Sequence, residues 1–208
     1  AGPISFDMKV HEALRKAVGD EYVLMSDPVA EYSLHEAIKV GRQLEELGYY
    51  WLEEPFRDFE LDKYQQLCSA LDLPIAATET TRGCHWGVAQ SIAQHAADIV
   101  RADVSWKDGV TGTMKIAHLA EAFGMNCEIH TTTMNYMDMA NLHIGCSIKN
   151  TEYFEYFVPE ENYQLPMQGM LPIDKNGMIT VPEGVGLGVD LDWDLIKRSC
   201  RSYKEARA

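Results

Sequence analysis

Residues 50–55 read YWLEEP and residues 74–79 read PIAATE. Each is a short apolar run that closes on a carboxylate, Glu53 and Glu79, and each is followed by a stretch with helical spacing. The two carboxylates stand 26 residues apart. Working outward, the same step recurs along the chain. Asp27 closes LMSD, Asp103 closes DIVRAD, His130 closes NCEIH, and Glu155 sits in YFEY. The successive steps are 26, 26, 24, 27 and 25 residues. A period of that size is one strand–helix unit, and repeated strand–helix units make parallel strands joined by right-handed crossovers. The predicted fold is therefore α/β, of the (β/α)8 TIM-barrel kind, in which the C-terminal ends of the strands converge on one mouth.

The local signals agree with this order. Strands are predicted at residues 22–26, 50–53, 75–78, 98–102, 126–130 and 153–156. Ser33 with Glu36 three residues on is a capping-box signature, and Gly48 stands where a C-terminal glycine ends a helix. Further helices are predicted near 60–71, 86–96, 111–123 and 134–146. The first residues read as a loop. At most six strand–helix units precede Pro159, so residues 1–170 are expected to form a partial catalytic barrel. Pro166, Pro172, Pro182 and the run Gly184, Gly186, Gly188 predict an extended, turn-rich segment at 171–208 rather than a packed helix.

Composition excludes several classes. The 208 residues carry 32 acidic against 18 basic side chains, a net charge of −14, which is the wrong sign for nucleic-acid binding. No apolar run approaches the roughly 20 residues of a membrane span, and no signal peptide is visible. The odd count of five cysteines, with no C-x-x-C pair, argues against a disulfide framework or a zinc knuckle. Reduced thiols and a cytoplasmic setting are the expectation. An acidic protein acting on an acidic substrate needs a local positive device, such as a metal ion.

The ladder itself suggests what that device is. Asp27, Glu53 and Glu79 on adjacent strands would repel one another unless a cation sat between them. Three oxygen ligands on rigid elements suit Mg²⁺. Asp103 and His130 form a different set on the next two strands, because a buried aspartate can orient a histidine as a general base. His130 as a core histidine or a fourth metal ligand, and Asp103 as a helix-end carboxylate, are the alternatives. Arg82, His85 and Lys107 lie in loops at the mouth and suit a hydroxylated substrate. A metal hydrolase on such a barrel would want paired histidine ligands on an early strand, and none is present. A metal site kept only for structure is the non-enzymatic alternative.

These residues resemble the mandelate racemase subgroup of the enolase superfamily, especially its acid-sugar dehydratases. The resemblance rests on LMSD, WLEEP, PIAATE, DIVRAD, the GVTG of residues 109–112, AEAFGMNCEIH, YFEY and the tail PIDKNGMITVPEGVGLGVDLD. It implies Mg²⁺ held by Asp27, Glu53 and Glu79, an acid/base dyad of Asp103 and His130, and Glu155 on the substrate carboxylate. The implied reaction is α-proton abstraction from a carboxylate through an ene-diolate, most simply dehydration of a sugar acid to a 2-keto-3-deoxy acid. Racemisation, epimerisation or cycloisomerisation is the alternative on the same scaffold. A homo-oligomer is expected. The resemblance aligns the chain with barrel strands three to eight of the enolase type, so the second acid/base group and an N-terminal capping domain would precede Ala1. Residues 171–208 would then pack toward that capping domain, and the chain alone would be a poor enzyme.

Overall fold

The computed structural model describes residues 3–131, 136–158 and 173–204. Four strands, β1 (Leu52–Glu53), β2 (Ile75–Ala77), β3 (Ile99–Ala102) and β4 (Cys127–Ile129), form one parallel sheet in the order β1-β2-β3-β4. Single parallel bridges extend it on both sides, Ser26 to Leu52 and Ile129 to Phe154. The two outer strands predicted at 22–26 and 153–156 thus shrink to one paired residue each, because among the described residues each has a strand neighbour on one side. The backbone still runs alongside: Tyr50 N–H donates to the Leu24 carbonyl and Glu53 N–H to the Ser26 carbonyl. On the far side Glu128 accepts from the backbone N–H groups of Glu152 and Tyr153 at 3.1 Å and from Thr151 Oγ1 at 3.0 Å.

The sheet curls. With strands about 4.8 Å apart, a flat sheet would hold the β1 strand and the Phe154 segment roughly 19 Å apart. Instead Tyr50 Oη donates to Glu152 at 2.7 Å, and the rings of Trp51 and Tyr153 meet edge-on at 6.1 Å. The concave interior begins with Met25, Tyr50, Trp51, Ala76 and Ile99. The convex face carries Leu52, Ile75, Ala77, Val100, Ala102, Cys127 and Ile129 into the main core. Alternation at period 2 assigns these two faces.

Between the strands run α2 (Leu34–Glu46), α3 (Leu61–Ala70), α4 (Cys84–Ala93) and α5 (Gly109–Ala122), with α6 (Tyr136–Gly145) after β4. Both halves of the capping box at Ser33 and Glu36 form, and Gly48 adopts φ 65° just beyond α2. Val40, Leu44, Leu67, Val88, Ile92, Ile116 and Ile144 are buried against the sheet, each contributing roughly 1.5–3 kcal/mol of hydrophobic stabilisation.

Two helices differ from the sequence expectation. Residues read as an opening loop form α1 (Ile4–Val18). Its pattern is inverted: polar His11 and Arg15 are buried, while Phe6, Val10, Leu14 and Val18 are exposed. Arg15 crosses to the end of α2, donating to the carbonyls of Leu47 at 2.7 Å and Gly48 at 3.0 Å. In the tail, α7 (Trp193–Ser199) is helical, started by Asp192 accepting from Leu195 N–H, although none of its residues is buried. Before it, Ile179, Val181, Leu187, Val189 and Leu191 pack against the cluster of Met139, Leu142 and Phe154. His95, expected in a helix, lies in the turn after α4 with φ 53°.

Gly112 in the first turn of α5 has no room for a side chain. A Cβ there would stand 1.8 Å from the Lys107 carbonyl oxygen and 2.8 Å from Cys84 Sγ. Gly112→Ala should therefore destabilise the fold by about 3 kcal/mol, the upper end of overpacking costs, read as a lowered midpoint in urea. An unchanged midpoint would mean that the strand-to-helix turn at 107–112 can yield.

Candidate active site

The interior positions near the C-terminal strand ends hold the charged groups. Glu53 on β1 sends Oε2 to Trp51 Nε1, which donates to it at 3.0 Å. Its Oε1 stands 2.7 Å from Arg101 Nε. The Arg101 N–H does not point along that contact, so both atoms are buried without an aligned hydrogen-bond partner. Arg101 also reaches Glu155 Oε2 with Nη2 at 2.7 Å and lies 3.7 Å from Glu79 Oε2. Thr131 N–H donates to the same Glu155 oxygen at 3.1 Å.

Crowding shows in the acidities. Burial first, then the charge of Glu53, pushes the Asp27 carboxyl up to about 6. Burial first, then Glu54, raises Glu79 well above the usual carboxylate range, against the pull of Arg101. Surrounding carboxylates outweigh desolvation at Arg101 and hold it charged. Asp27, Glu53, Glu79, Arg101 and Glu155 thus form one electrostatic unit.

Beside it stands the histidine pair. His130 Nδ1 lies 2.9 Å from Asp103 Oδ2, and His130 Nε2 faces the carboxylates, 3.7 Å from Glu79 Oε2. Asp103 is fully buried. Burial alone would raise its carboxyl, but hydrogen bonds from His130, Asn141 and the Ser105 backbone hold it below the ordinary value. Trp106 stacks on the His130 ring, with centroids 4.6 Å apart and planes 25° apart.

The strand-end turns are strained. Glu54, Thr78, Val29 and Ala30 have φ of 33°, 91°, 53° and 60°. For a β-branched threonine or valine that region is costly and persists only where the surroundings enforce it. Thr78 is held by a reciprocal pair: its Oγ1 donates to the Arg101 carbonyl and accepts from the Arg101 N–H. This turn aims Glu79 at the same interior as Glu53.

The mouth-loop residues separate. Lys107 is fully buried and its Nζ donates to the Thr81 carbonyl, so it is held between strand-end loops and not presented at an open mouth. Arg82 is exposed, beside Asp58, Phe59 and Gln90. His85 is half-buried with its ring against Trp86. Arg101, Trp106 and Asn141 went unnoticed in the sequence. Arg101 was detectable, as a charge inside an apolar strand two residues before Asp103 and so on the same face.

The donor set fits a hard divalent cation: carboxylates from three adjacent strand ends, two of them with raised pKa, and a buried Glu53 oxygen lacking a hydrogen-bond partner. In this conformation no three His, Cys, Asp or Glu side chains among the described residues stand in a ligating arrangement; Glu53 is turned onto Trp51 and Arg101.

A curled parallel sheet with acids and an Asp–His pair at its strand ends is an α/β arrangement of the barrel kind. The family model described as enolase C-terminal domain-like matches residues 1–195. The chain belongs to the enolase superfamily, in its mandelate racemase subgroup. It is 31% identical over 183 residues to arabinonate dehydratase of Saccharolobus solfataricus, covering 88% of this chain and 48% of that protein. It is 27% identical to D-galactarolactone cycloisomerase of Agrobacterium fabrum, covering 91% and 52%. The crystal structure of D-glucarate dehydratase from Agrobacterium tumefaciens complexed with magnesium matches with a TM-score of 0.87 and 36% identity, covering 95% of this chain and 52% of that one. The chain spans about half the length of the relatives it matches. No helix among the described residues is long and apolar enough to cross a membrane.

A pH dependence follows from the raised carboxyls. A group whose folded pKa is raised favours the fold when protonated. Asp27 therefore contributes fully below pH about 4 and loses that contribution as pH rises through about 6; Glu79 adds the same trend at higher pH. A divalent cation relieves the repulsion only where the acids are ionised. The rise in melting temperature on adding Mg²⁺ should be larger at pH 8 than at pH 5 by scanning calorimetry. An equal rise at both would place the ion elsewhere.

Proposed function

We propose that the protein uses His130 to take the α-proton from the carboxylate of a sugar acid, leading to dehydration to a 2-keto-3-deoxy acid. The observation that carries this reading is the Asp103–His130 contact, with Nε2 left facing the carboxylate cluster. With Nδ1–H donated to Asp103, the lone pair of the neutral ring lies on Nε2, toward the interior. The C–H bond breaks toward that nitrogen and its electron pair moves onto the substrate carboxylate. The β-carbon–oxygen bond then breaks, and the proton held by His130 goes to the leaving hydroxide to make water. The enol tautomerises to the keto acid.

Asp27, Glu53 and Glu79 would hold Mg²⁺, which when bound supplies Lewis-acid stabilisation of the charge on the substrate carboxylate. Glu155, with 34% of its side chain exposed, would face the substrate, its Oε2 held by Arg101 Nη2. Trp106 would wall the space above His130. The dehydratases among the relatives support the reaction class. Cycloisomerisation is the second reading, favoured by the D-galactarolactone cycloisomerase relative. A homo-oligomer in the cytoplasm fits either.

The test is isotopic. Sugar acids incubated in D₂O with Mg²⁺ and the protein should gain deuterium at the α-carbon and accumulate keto acid. His130→Asn should abolish exchange while Mg²⁺ still binds, because Asp27, Glu53 and Glu79 all remain, although His130 Nε2 lies 3.7 Å from Glu79 Oε2. Loss of Mg²⁺ binding in that variant would make His130 a ligand. Absence of exchange from a wild-type chain that binds Mg²⁺ would overturn the reading.

A further inference from the structure

Asn141 lies on α6 and is fully buried. Its amide orientation is unambiguous. Oδ1 accepts from Val104 N–H at 3.0 Å, and a backbone N–H requires an oxygen there. Nδ2 then donates to Asp103 Oδ1 at 3.0 Å and to Asp138 Oδ1 at 3.2 Å. One NH₂ group thus separates two fully buried carboxylates, giving each a hydrogen.

The effect falls on Asp103. Its Oδ1 also accepts from Ser105 N–H at 2.7 Å, so that oxygen holds two donors. Oδ2 is left for His130 Nδ1. A carboxylate fixed this way accepts only, which keeps the hydrogen of the neutral imidazole on Nδ1. The Val104 contact ties the same amide to the loop leaving β3, so Asn141 joins that loop to the helix that follows the His130 strand.

We infer that Asn141 is a positioning residue, whose amide locks Asp103 so that His130 stays in the Nδ1–H tautomer with Nε2 free toward the carboxylates. Its bearing on catalysis rests on the reading of His130 as the base. Its bearing on the tautomer does not.

The experiment uses the full chain without substrate. Ring-nitrogen NMR, with His130 assigned by loss of its signals in His130→Asn, should show two well-separated nitrogens in the wild type, protonated Nδ1 and bare Nε2. Asn141→Leu removes the lock at similar volume. Asn141→Asp keeps the acceptor for Val104 but sets a carboxylate against Asp103 and Asp138. Both should shrink the separation by half or more as the tautomers mix. In the exchange assay the same variants should lose about 10–100-fold in rate, the span seen for outer-shell partners, with Mg²⁺ affinity within about twofold of wild type. A folded variant with the wild-type separation overturns the proposal. So does failure of both variants to fold, which would make the amide a plain structural bridge. A wild type with the fixed tautomer but no exchange would sink the sugar-acid reading and leave the role of Asn141 standing.

Discussion

The interior of this sheet depends on one buried guanidinium. Arg101 meets Glu53 and Glu155 at 2.7 Å and Glu79 at 3.7 Å, with Asp27 close enough to feel its charge. Neither side is tolerable alone. An arginine out of water without partners costs several kcal/mol, and four carboxylates facing one cavity would drive one another to protonate. The planar fork of arginine suits the task, because its nitrogens reach acids on different strands from one anchor. Four acids and one guanidinium still leave a formal deficit of three positive charges. That deficit is what a divalent cation would reduce; burial first, then the neighbouring acids, holds the pKa of Asp27 and Glu79 above the ordinary carboxylate range even with Arg101 present.

Much of this was legible from the chain itself. The 24–27-residue step located the strand ends, and period 2 within each strand divided interior from core. Ile99, Arg101 and Asp103 face inward while Val100 and Ala102 join the core, as alternation requires. What escaped detection broke a pattern. In α1 the buried positions are His11 and Arg15 and the exposed ones include Phe6 and Leu14, so its periodicity points the wrong way. The short helix α7 buries nothing, and without a buried face there is no apolar spacing to read. Asn141 is one polar residue on a helix, and its partners Asp103 and Val104 lie 38 and 37 residues away. Only the fold brings them together.

The strand-end turns connect these levels. Aiming Glu79 inward requires the chain to leave the β conformation at Thr78, in a region β-branched residues avoid. That cost is offset by hydrogen bonds to the backbone of Arg101 itself. The residue that balances the acids therefore also holds the turn that delivers one of them. Placement of charge and placement of backbone are the same interaction here.

The same division of charge appears in the paired glutamates of WLEEP. Glu53 faces the interior and Arg101, while Glu54, at φ 33°, faces outward and accepts from Thr80 Oγ1 at 3.1 Å. On that outer side lies Lys107, fully buried, its acidity shifted by burial first and by the charge of Glu54 second. Burial likewise raises Glu54. Two consecutive acids thus serve opposite faces of one strand end, each with a buried cation supplied by the β3 strand or its loop. A slip of one residue in β1 would put Leu52 in the place of the carboxylate that faces Arg101, or Pro55 in the place of the one that faces Lys107. The register of β1 is therefore held by charge on both faces as well as by the apolar burial of Leu52.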